Sequence, residues 1–380
     1  MTKIRNEQLN SITDWGHWMD LRYYILKRLI AIIPTIIGVT VITFILVRSI
    51  PVGLLVSQYV NPNSNVPIAI QKQNAIISLG LNLPAPIEYF IYLKDLFTGN
   101  WGSMTTSFYS GPVLRGIEEF FPNTLQLSIF AMALSIIIAV PLGTYMGSKP
   151  NSISDHVGRI VALSGYAMPL FWLALILQIL FGKGVLNDPA SIFPISGTFS
   201  YTALPYPPPQ WLVTQSGGAV LSEPTHMLFF DSLIHGDFSL AWDAFLHLVL
   251  PVLTLTYGLL AYLLRFIRSG IVDSSRQEFT RTARAKGLPE KMILKKHIRR
   301  NGILPSITTM GLIVAFLLGG VVLVEEVFQY PGMGLLSVNA VLSFQIYGVM
   351  GTTFVFALVV VAANFIVDLV YVKVDPRIKY

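Results

Sequence analysis

Long uncharged apolar runs, separated by charged or turn-rich segments, set the pattern of this chain. A helix that crosses the hydrocarbon core of a membrane needs about 20 apolar residues, because each residue advances roughly 1.5 Å. The runs do not alternate between polar and apolar positions, which favours helices over the strands of a membrane barrel. We therefore predict an all-α polytopic membrane protein with six transmembrane helices, which span about 29–50, 123–148, 160–182, 244–264, 301–324 and 348–371.

Composition agrees with this pattern. Hydrophobic residues make up 53% of the 380 residues, charged residues only 12%, and the mean hydropathy is +0.62. A soluble domain carries about 25% charged residues. This chain has too little charge to cover a water-facing surface, which excludes an ordinary soluble enzyme and a disordered protein. The absence of cysteine excludes disulfides, thiol catalysis and Cys-ligated metals.

The lysines and arginines fall mainly in alternate segments and predict that both termini are cytoplasmic. Segments 1–28, 149–159, 265–300 and 368–380 hold 21 Lys and Arg against 9 Asp and Glu, whereas the other side holds 5 against 11. The net charge of +6 therefore reflects membrane topology, and we expect no nucleic-acid partner. Segment 1–28 is predicted to lie at the membrane surface, with Trp15, Trp18, Tyr23 and Tyr24 at headgroup level, and 372–380 forms a cytoplasmic tail.

Two long external loops are predicted at 51–122 and 183–243. Loops of this length are usually functional or disordered. The second is a solvated outer cap or a docking surface for an external partner, and its acidic residues are Asp188, Glu223, Asp231, Asp237 and Asp243.

The cytoplasmic loop 265–300 carries eleven basic residues. Gly287 ends one predicted helix, and Pro289 occupies the first position of the next, so two short helices meet at a sharp corner. Ala283, Ala285 and Gly287 are small enough for another protein to approach the backbone closely. From the residues alone, the loop either docks a partner or contacts anionic lipid.

Motifs for chemistry are absent. The chain has no phosphate-cradling G-x-x-x-x-G-K-[ST] loop, no H-E-x-x-H, no G-x-S-x-G and no close pair of histidines, so we expect no metal site. We expect the paired glutamates at 118–119 and 325–326 to be solvated at outer helix ends. His247 and Asp368 are expected to be interfacial and hydrated. Because no carboxylate marks the middle of the membrane, the energy for any transport must come from elsewhere.

Several further segments occur in a fixed order along most of the chain. They are Tyr92 to Gly102 (YLKDLFTGNWG), Ala167 to Trp172 (AMPLFW), Arg281 to Leu288 (RTARAKGL), Arg300 to Pro305 (RNGILP), Phe328 to Gly334 (FQYPGMG) and Val374 to Ile378 (VDPRI). With these segments the chain closely resembles the transmembrane permease subunits of binding-protein-dependent ABC importers, in the dipeptide, oligopeptide and nickel group.

The resemblance implies a type I ABC importer permease fold in the bacterial cytoplasmic membrane. It implies a sister permease in a heterodimer, two ABC ATPase subunits, an external peptide-binding protein, and a chain that is not itself an enzyme. ATP and Mg²⁺ would be held by the ATPases, and this chain would bind no cofactor. The coupling region in the ATPase cleft would be Arg281, Thr282, Ala283, Arg284, Ala285, Lys286, Gly287 and Leu288. The solute would be a di- or oligopeptide, with nickel or another small solute as the alternative and a stand-alone secondary transporter as a remote one.

Overall fold

The computed structural model describes residues 21–183, 193–204, 209–214 and 220–374. The predicted surface position of Trp15 and Trp18 and most of the tail 372–380 lie outside the described residues.

Helices form almost all of the described chain, and two short antiparallel hairpins complete it. The elements are α1 (Leu21–Arg48), α2 (Val52–Ser57), α3 (Ile68–Ser78), α4 (Ala85–Thr98), β1 (Ser103–Thr105), β2 (Ser110–Pro112), α5 (Val113–Ser148), α6 (Ile153–Ala167), α7 (Leu170–Phe181), a 3₁₀ turn (Tyr201–Ala203), β3 (Leu212–Thr214), β4 (Val220–Ser222), α8 (Leu228–Ile234), α9 (Phe238–Ser275), α10 (Glu278–Ala285), α11 (Glu290–Met292), a π-helical turn (Ile293–Ile298), α12 (Arg299–Gly302), α13 (Leu304–Phe328), α14 (Met333–Leu342) and α15 (Ile346–Val374).

Among the described residues, four helices are long and apolar enough to cross a membrane, and the number rises to six if each of two bent pairs forms one span. The four lie in α1, α5, α9 and α15. The bent pairs are α6 with α7, at 109°, and the second half of α13 with α14, at 76°. The prediction of a polytopic, mostly helical membrane protein is therefore confirmed at the level of four to six candidate spans.

The predicted span 160–182 is not one continuous helix. Helix α6 ends at Ala167 and α7 begins at Leu170, after Met168 and Pro169. Proline lacks a backbone N–H and pushes the preceding residue out of the helical region, so the chain bends here. Residues 153–159 belong to the same pair, although the prediction left them in a loop.

Other boundaries also differ, because charges and prolines are poor markers of where a helix ends. Helix α5 begins at Val113, ten residues before the predicted span, and it carries Pro122 within it. Helix α9 extends beyond the predicted span at both ends. The predicted external loop 51–122 contains α2, α3, α4 and the β1–β2 hairpin.

Helix α9 lies at the centre of the bundle, against α5, α6, α7 and α13. Glycines allow α9 and its neighbouring helices to approach each other most closely. The side chain of Ile267 lies against Gly143 of α5, where an added Cβ would sit 2.9 Å from it. At Gly270 an added Cβ would overlap the carbonyl of Gly302 in α12. The two backbones therefore touch at this crossing.

An ion pair between a buried carboxylate and a half-buried guanidinium ties α6 to α9. Asp155 is fully buried and accepts two hydrogen bonds from the guanidinium of Arg268, including one of 2.8 Å from Nη2. The carboxylate also accepts the backbone N–H of Asn151 at 3.0 Å, and Arg159 lies 3.7 Å away. Such a pair is costly to break because the remaining charge stays poorly solvated.

We expect Asp155→Ala to destabilise the protein by about 1–3 kcal/mol, because the half-buried Arg268 and the N–H of Asn151 lose their acceptor. Thermal unfolding of the purified chain in detergent measures this loss. Asp273→Ala removes an exposed carboxylate from α9 and serves as the control. Equal midpoints for the two variants would contradict a structural role for the pair.

Candidate functional site

Residues 281–290 form a sharp turn between α10 and α11, which we call the Gly287 corner. The backbone N–H of Leu288 donates to the carbonyl of Ala283 at 3.3 Å, and that of Gly287 to Arg284 at 2.9 Å. These are the two hydrogen bonds of a Schellman motif, which requires a left-handed residue after the helix. Gly287 provides it, with φ of +72°. The predicted helix stop and restart are therefore present, although Pro289 precedes the first helical residue, Glu290, instead of occupying that position.

The Gly287 corner has an inward and an outward face. Ala283 is buried and packs into the main hydrophobic core with Ile293, and Leu288 packs against its edge. Thr280 is buried as well, and its hydroxyl donates to the carbonyl of Ser274 at 2.8 Å. Ala283 therefore anchors the corner to the bundle, whereas the sequence had suggested it as a contact for a partner.

The outward face contains most of the residues that the sequence singled out. Arg281, Thr282, Arg284, Ala285, Lys286 and Gly287 are all exposed. A Cβ added at Gly287 would meet nothing within 4 Å, so the surface beside it is open. The structure brings these side chains onto one exposed edge of the molecule.

The charges at the Gly287 corner are only partly balanced. Arg284 Nε donates to Glu290 across the turn at 2.7 Å, and Arg281 donates to Glu278 at 2.7 Å. Hydrogen bonding to Arg284 lowers the pKa of Glu290 below its ordinary value, so this carboxylate stays ionised at neutral pH. Both pairs are solvent-exposed, so they orient side chains more than they stabilise the fold. Lys286 leaves the surface basic.

Beyond the Gly287 corner, the chain reaches α13 through α11, a π-helical turn and α12. The π-helical turn Ile293–Ile298 buries Ile293 and Ile298 and is followed by α12. Gly302 at the end of α12 lies against Gly270 of α9. The corner is thus held between α9 on one side and α13 on the other.

A second corner, residues 325–335, joins α13 to α14, and we call it the Gln329 corner. It repeats the Schellman pattern, with Gln329 left-handed at φ of +45° and a 2.9 Å hydrogen bond from Tyr330 N–H to Glu325 C=O. The turn predicted at Tyr330 to Gly334 is therefore present. The second half of α13 and the ten-residue α14 meet at this break with a bend of 76°.

The carboxylate of Glu325 lies inside the Gln329 corner. Glu325 is fully buried and accepts the hydroxyl of Thr124 at 2.6 Å and the backbone N–H of Leu335 at 3.1 Å. Thr124 in turn accepts the N–H of Met333 at 2.8 Å. Glu325 and Thr124 therefore accept backbone N–H groups that the N-terminus of α14 leaves without a partner inside the helix. The expectation that Glu325 is solvated is wrong.

The turn is built so closely around this carboxylate that only glycine fits at two positions. A Cβ at Gly332 would overlap the carboxylate of Glu325, and one at Gly334 would lie 2.7 Å from it. Asn123 of α5 closes the other side by donating to the carbonyl of Pro331 at 3.0 Å. The density of glycines after Glu325-Glu326 is the sequence signal that could have revealed the buried acid.

Two other expectations of solvation fail. Glu119 is buried, and Arg115 Nε donates to it at 2.8 Å. His247 is also buried, and its Nδ1 donates to the carbonyl of Asp243 at 2.8 Å. His247 lines a cavity of about 530 Å³ with Gln329 and Pro331 of the Gln329 corner. Asp368, by contrast, pairs at the helix ends with Arg28 at 3.0 Å.

The acidic residues of segment 183–243 serve mainly the fold. Asp231 is fully buried and accepts the hydroxyls of Ser222 at 2.6 Å and Thr225 at 2.8 Å. Asp237 caps α9, and Asp243 accepts the N–H of Ser200 at 2.6 Å. Glu223 is exposed, and Asp188 lies outside the described residues. An acidic docking surface made of these residues is therefore not what the structure shows.

Within the described ranges, no three His, Asp or Glu side chains come together as a possible metal site.

Residues 139–380 match the family described as binding-protein-dependent transport system inner membrane component. The chain belongs to this family. The match includes both the Gly287 corner and the Gln329 corner. The protein is therefore a membrane component of a bacterial transport system, as the sequence predicts.

Curated relatives extend the similarity to nearly the whole chain. The dipeptide transport system permease protein DppB of Alkalihalophilus pseudofirmus is 32% identical over 94% of this chain and 99% of its own. The oligopeptide transport system permease protein AppB of Bacillus subtilis is 30% identical over 94% and 99%, respectively. The di/tripeptide transport system permease protein DppB of Pseudomonas aeruginosa is 32% identical over 94% and 98%. This permease is accordingly a transport subunit and not an enzyme.

Removing the buried acid tests the Gln329 corner. We expect Glu325→Ala to lower the free energy of unfolding by about 3 kcal/mol, because the buried hydroxyl of Thr124 and the N–H of Leu335 lose their acceptor. Chemical or thermal unfolding in detergent measures the change, with Glu118→Ala as the exposed control on α5.

Thr124→Val provides the partner mutation for a double-mutant cycle. Coupling between Glu325 and Thr124 is expected to be well above experimental error. Additive effects of the two changes would show that their hydrogen bond does not hold the corner.

Proposed function

We propose that this permease is one half of the channel of an ATP-driven ABC importer and that it imports peptides. In this proposal it pairs with a sister permease, two ABC ATPases bind ATP and Mg²⁺ on the cytoplasmic side, and an external binding protein delivers the solute. The chain itself holds no cofactor. Its six spans place both termini in the cytoplasm, in a type I importer permease fold.

The Gly287 corner is the observation that carries the mechanism. Its inward residues are packed into the bundle, while its outward residues are exposed, basic and small at the turn. A partner that pushed on this edge would move α9 and α13 together, because the chain connects the corner to both. Rigid-body motion of this kind is a common route by which a local contact changes a distant gate. We therefore assign coupling to the ATPase to Arg281, Thr282, Arg284, Ala285, Lys286, Gly287 and Leu288, with Ala283 as the inward anchor.

Ion pairs support the proposed order in which the spans cross the membrane. Arg28 pairs with Asp368, Asp155 with Arg268, and Arg48 with Glu88. In each pair, the charge pattern of the sequence places both members on the same side of the membrane. A set of spans threaded in another order would separate some of these charges across the bilayer, which is costly.

The proposed solute rests on the relatives. The three compared above are named for dipeptide, oligopeptide and di/tripeptide transport. A peptide is therefore the favoured solute, and nickel or another small solute remains the alternative within the same architecture.

Purification from the native membrane in mild detergent, followed by mass spectrometry, tests the assembly. We expect two P-loop ATPases and a second permease to accompany this chain, and a captured binding protein to carry a peptide. Recovery of the chain alone, or only as a homodimer without an ATPase, would contradict the proposal. A bound metal in place of peptide would favour the nickel alternative.

A substitution at the corner tests the coupling surface. We expect Gly287→Arg to leave the permease folded in the membrane but to reduce solute-stimulated ATP hydrolysis by the reconstituted assembly at least tenfold. The long side chain would project into the open space where the ATPase is proposed to bind.

Gly287→Asn is the matched control, because asparagine tolerates the left-handed conformation and is short. It should retain most of the stimulation. Full stimulation in Gly287→Arg, or equal loss in both variants, would contradict docking at this corner.

A further inference from the structure

Helix α4 presents an apolar face that no described part of the chain covers. Ile87, Phe90, Ile91 and Phe97 are 51%, 68%, 43% and 79% exposed. They share one side of the helix at about 100° per residue. Lys94 lies on the same side, and its long stem allows the charge to reach the headgroups. Four large apolar side chains on one exposed face need a partner.

The opposite face of α4 is packed against the last two turns of α1. Tyr89 Oη lies 3.0 Å from Thr40 Oγ1, and its ring meets Phe44 at 5.4 Å between centroids. Glu88 forms an ion pair with Arg48, whose Nη2 also donates to the carbonyl of Leu83 at 2.9 Å. Helix α4 is therefore fixed to a known level of the first candidate span.

That level lies within the membrane. Arg48 ends α1, and Thr40 lies eight residues earlier, which is about 12 Å along the helix axis. The long side chain of Arg48 reaches back to Glu88 of α4, whereas the short side chain of Thr40 contacts Tyr89 directly. On the other sides of α1, Ile42, Ile45 and Leu46 are each about 60% exposed at the same level. Because α1 is a candidate span, these residues face lipid, and the apolar face of α4 continues the surface that they form.

We propose that α4 is a monotopic helix embedded in the outer leaflet, with Phe90 and Phe97 inserted among the acyl chains. Helices of this kind lie in the membrane plane with one apolar face buried about 5–10 Å below the headgroups. Pro84 precedes the first helical residue of α4, and left-handed Gly99 follows its last residue. The predicted external loop 51–122 thus contains a membrane-bound element.

This arrangement gives α4 a structural task. Trp101 lies just beyond the end of α4, and its indole N–H donates to the carbonyl of Leu96 in the last turn at 2.9 Å. The ring of Trp101 packs against Phe354 of α15, with 5.8 Å between the ring centroids. The helix therefore connects the lipid, α1 and α15 at one end of the bundle. The assignment of α4 to the outer leaflet rests on the proposed topology, with both termini in the cytoplasm, and is independent of the solute.

The absence of cysteine in the chain gives a direct test. Single variants Phe90→Cys and Phe97→Cys, in the full assembly in lipid nanodiscs, receive a nitroxide spin label. Power-saturation measurements then compare collisions with oxygen, which concentrates in the hydrocarbon, and with a polar nickel chelate, which stays in water. Ile42→Cys on α1 is the lipid control, and Asn63→Cys in the exposed turn before α3 is the water control.

We expect the oxygen-to-nickel ratio at 90 and 97 to approach that at 42 and to exceed that at 63 severalfold. A ratio like that at 63 would place the face in water and overturn the proposal. Low accessibility to both reagents would place it against another protein subunit, which would also overturn it. Ile87→Cys, on the same face, repeats the measurement if either aromatic variant does not assemble.

Discussion

A helix that breaks at membrane depth must supply its own hydrogen-bond partners, because no water is available to the free backbone groups. The Gln329 corner meets this constraint with a buried carboxylate. Glu325 and Thr124 together accept the N–H groups at the start of α14, and Asn123 donates to the carbonyl of Pro331. The bend of 76° between α13 and α14 is therefore stabilised by side chains from α5 and α13. Gly332 and Gly334 are the necessary consequence, since any side chain there would displace the carboxylate.

Two Schellman corners flank α13 along the chain. The Gln329 corner closes α13 itself, whereas the Gly287 corner closes α10 and leads to α13 through α11, the π-helical turn and α12. The Gly287 corner is anchored by buried Thr280, Ala283 and Ile293. Between them, α13 packs along α9 and α15. A displacement at one corner would therefore reach the other along α13, which packs against both of these helices.

The sequence predicted the class of fold, the approximate spans and the Gly287 corner, because each depends on local pattern. Apolar run length determines whether a helix can cross the membrane, and glycine followed by proline ends one helix and starts another. The predictions of solvation that proved wrong concern residues whose surroundings depend on the tertiary structure. Glu325 and His247 lie beside residues far away in sequence, such as Thr124 and Gln329, and the pair Glu325-Glu326 looked like a solvated helix end for that reason. The bend at Pro169 and the early start of α5 at Val113 also depend on packing that one sequence does not display.

Contact between the Gly287 corner and an ATPase is the central claim of this account. The most direct measurement is photocrosslinking from a single cysteine at Ala285, which is exposed at the corner of a cysteine-free chain, with His156→Cys as an exposed control on the same predicted side. The label at 285 should form an adduct with the P-loop ATPase in native membranes, and its yield should change when ATP is added, whereas the label at 156 should not show this dependence. Labelling at 285 without any ATPase adduct would contradict the account and leave the corner as a lipid-facing basic loop.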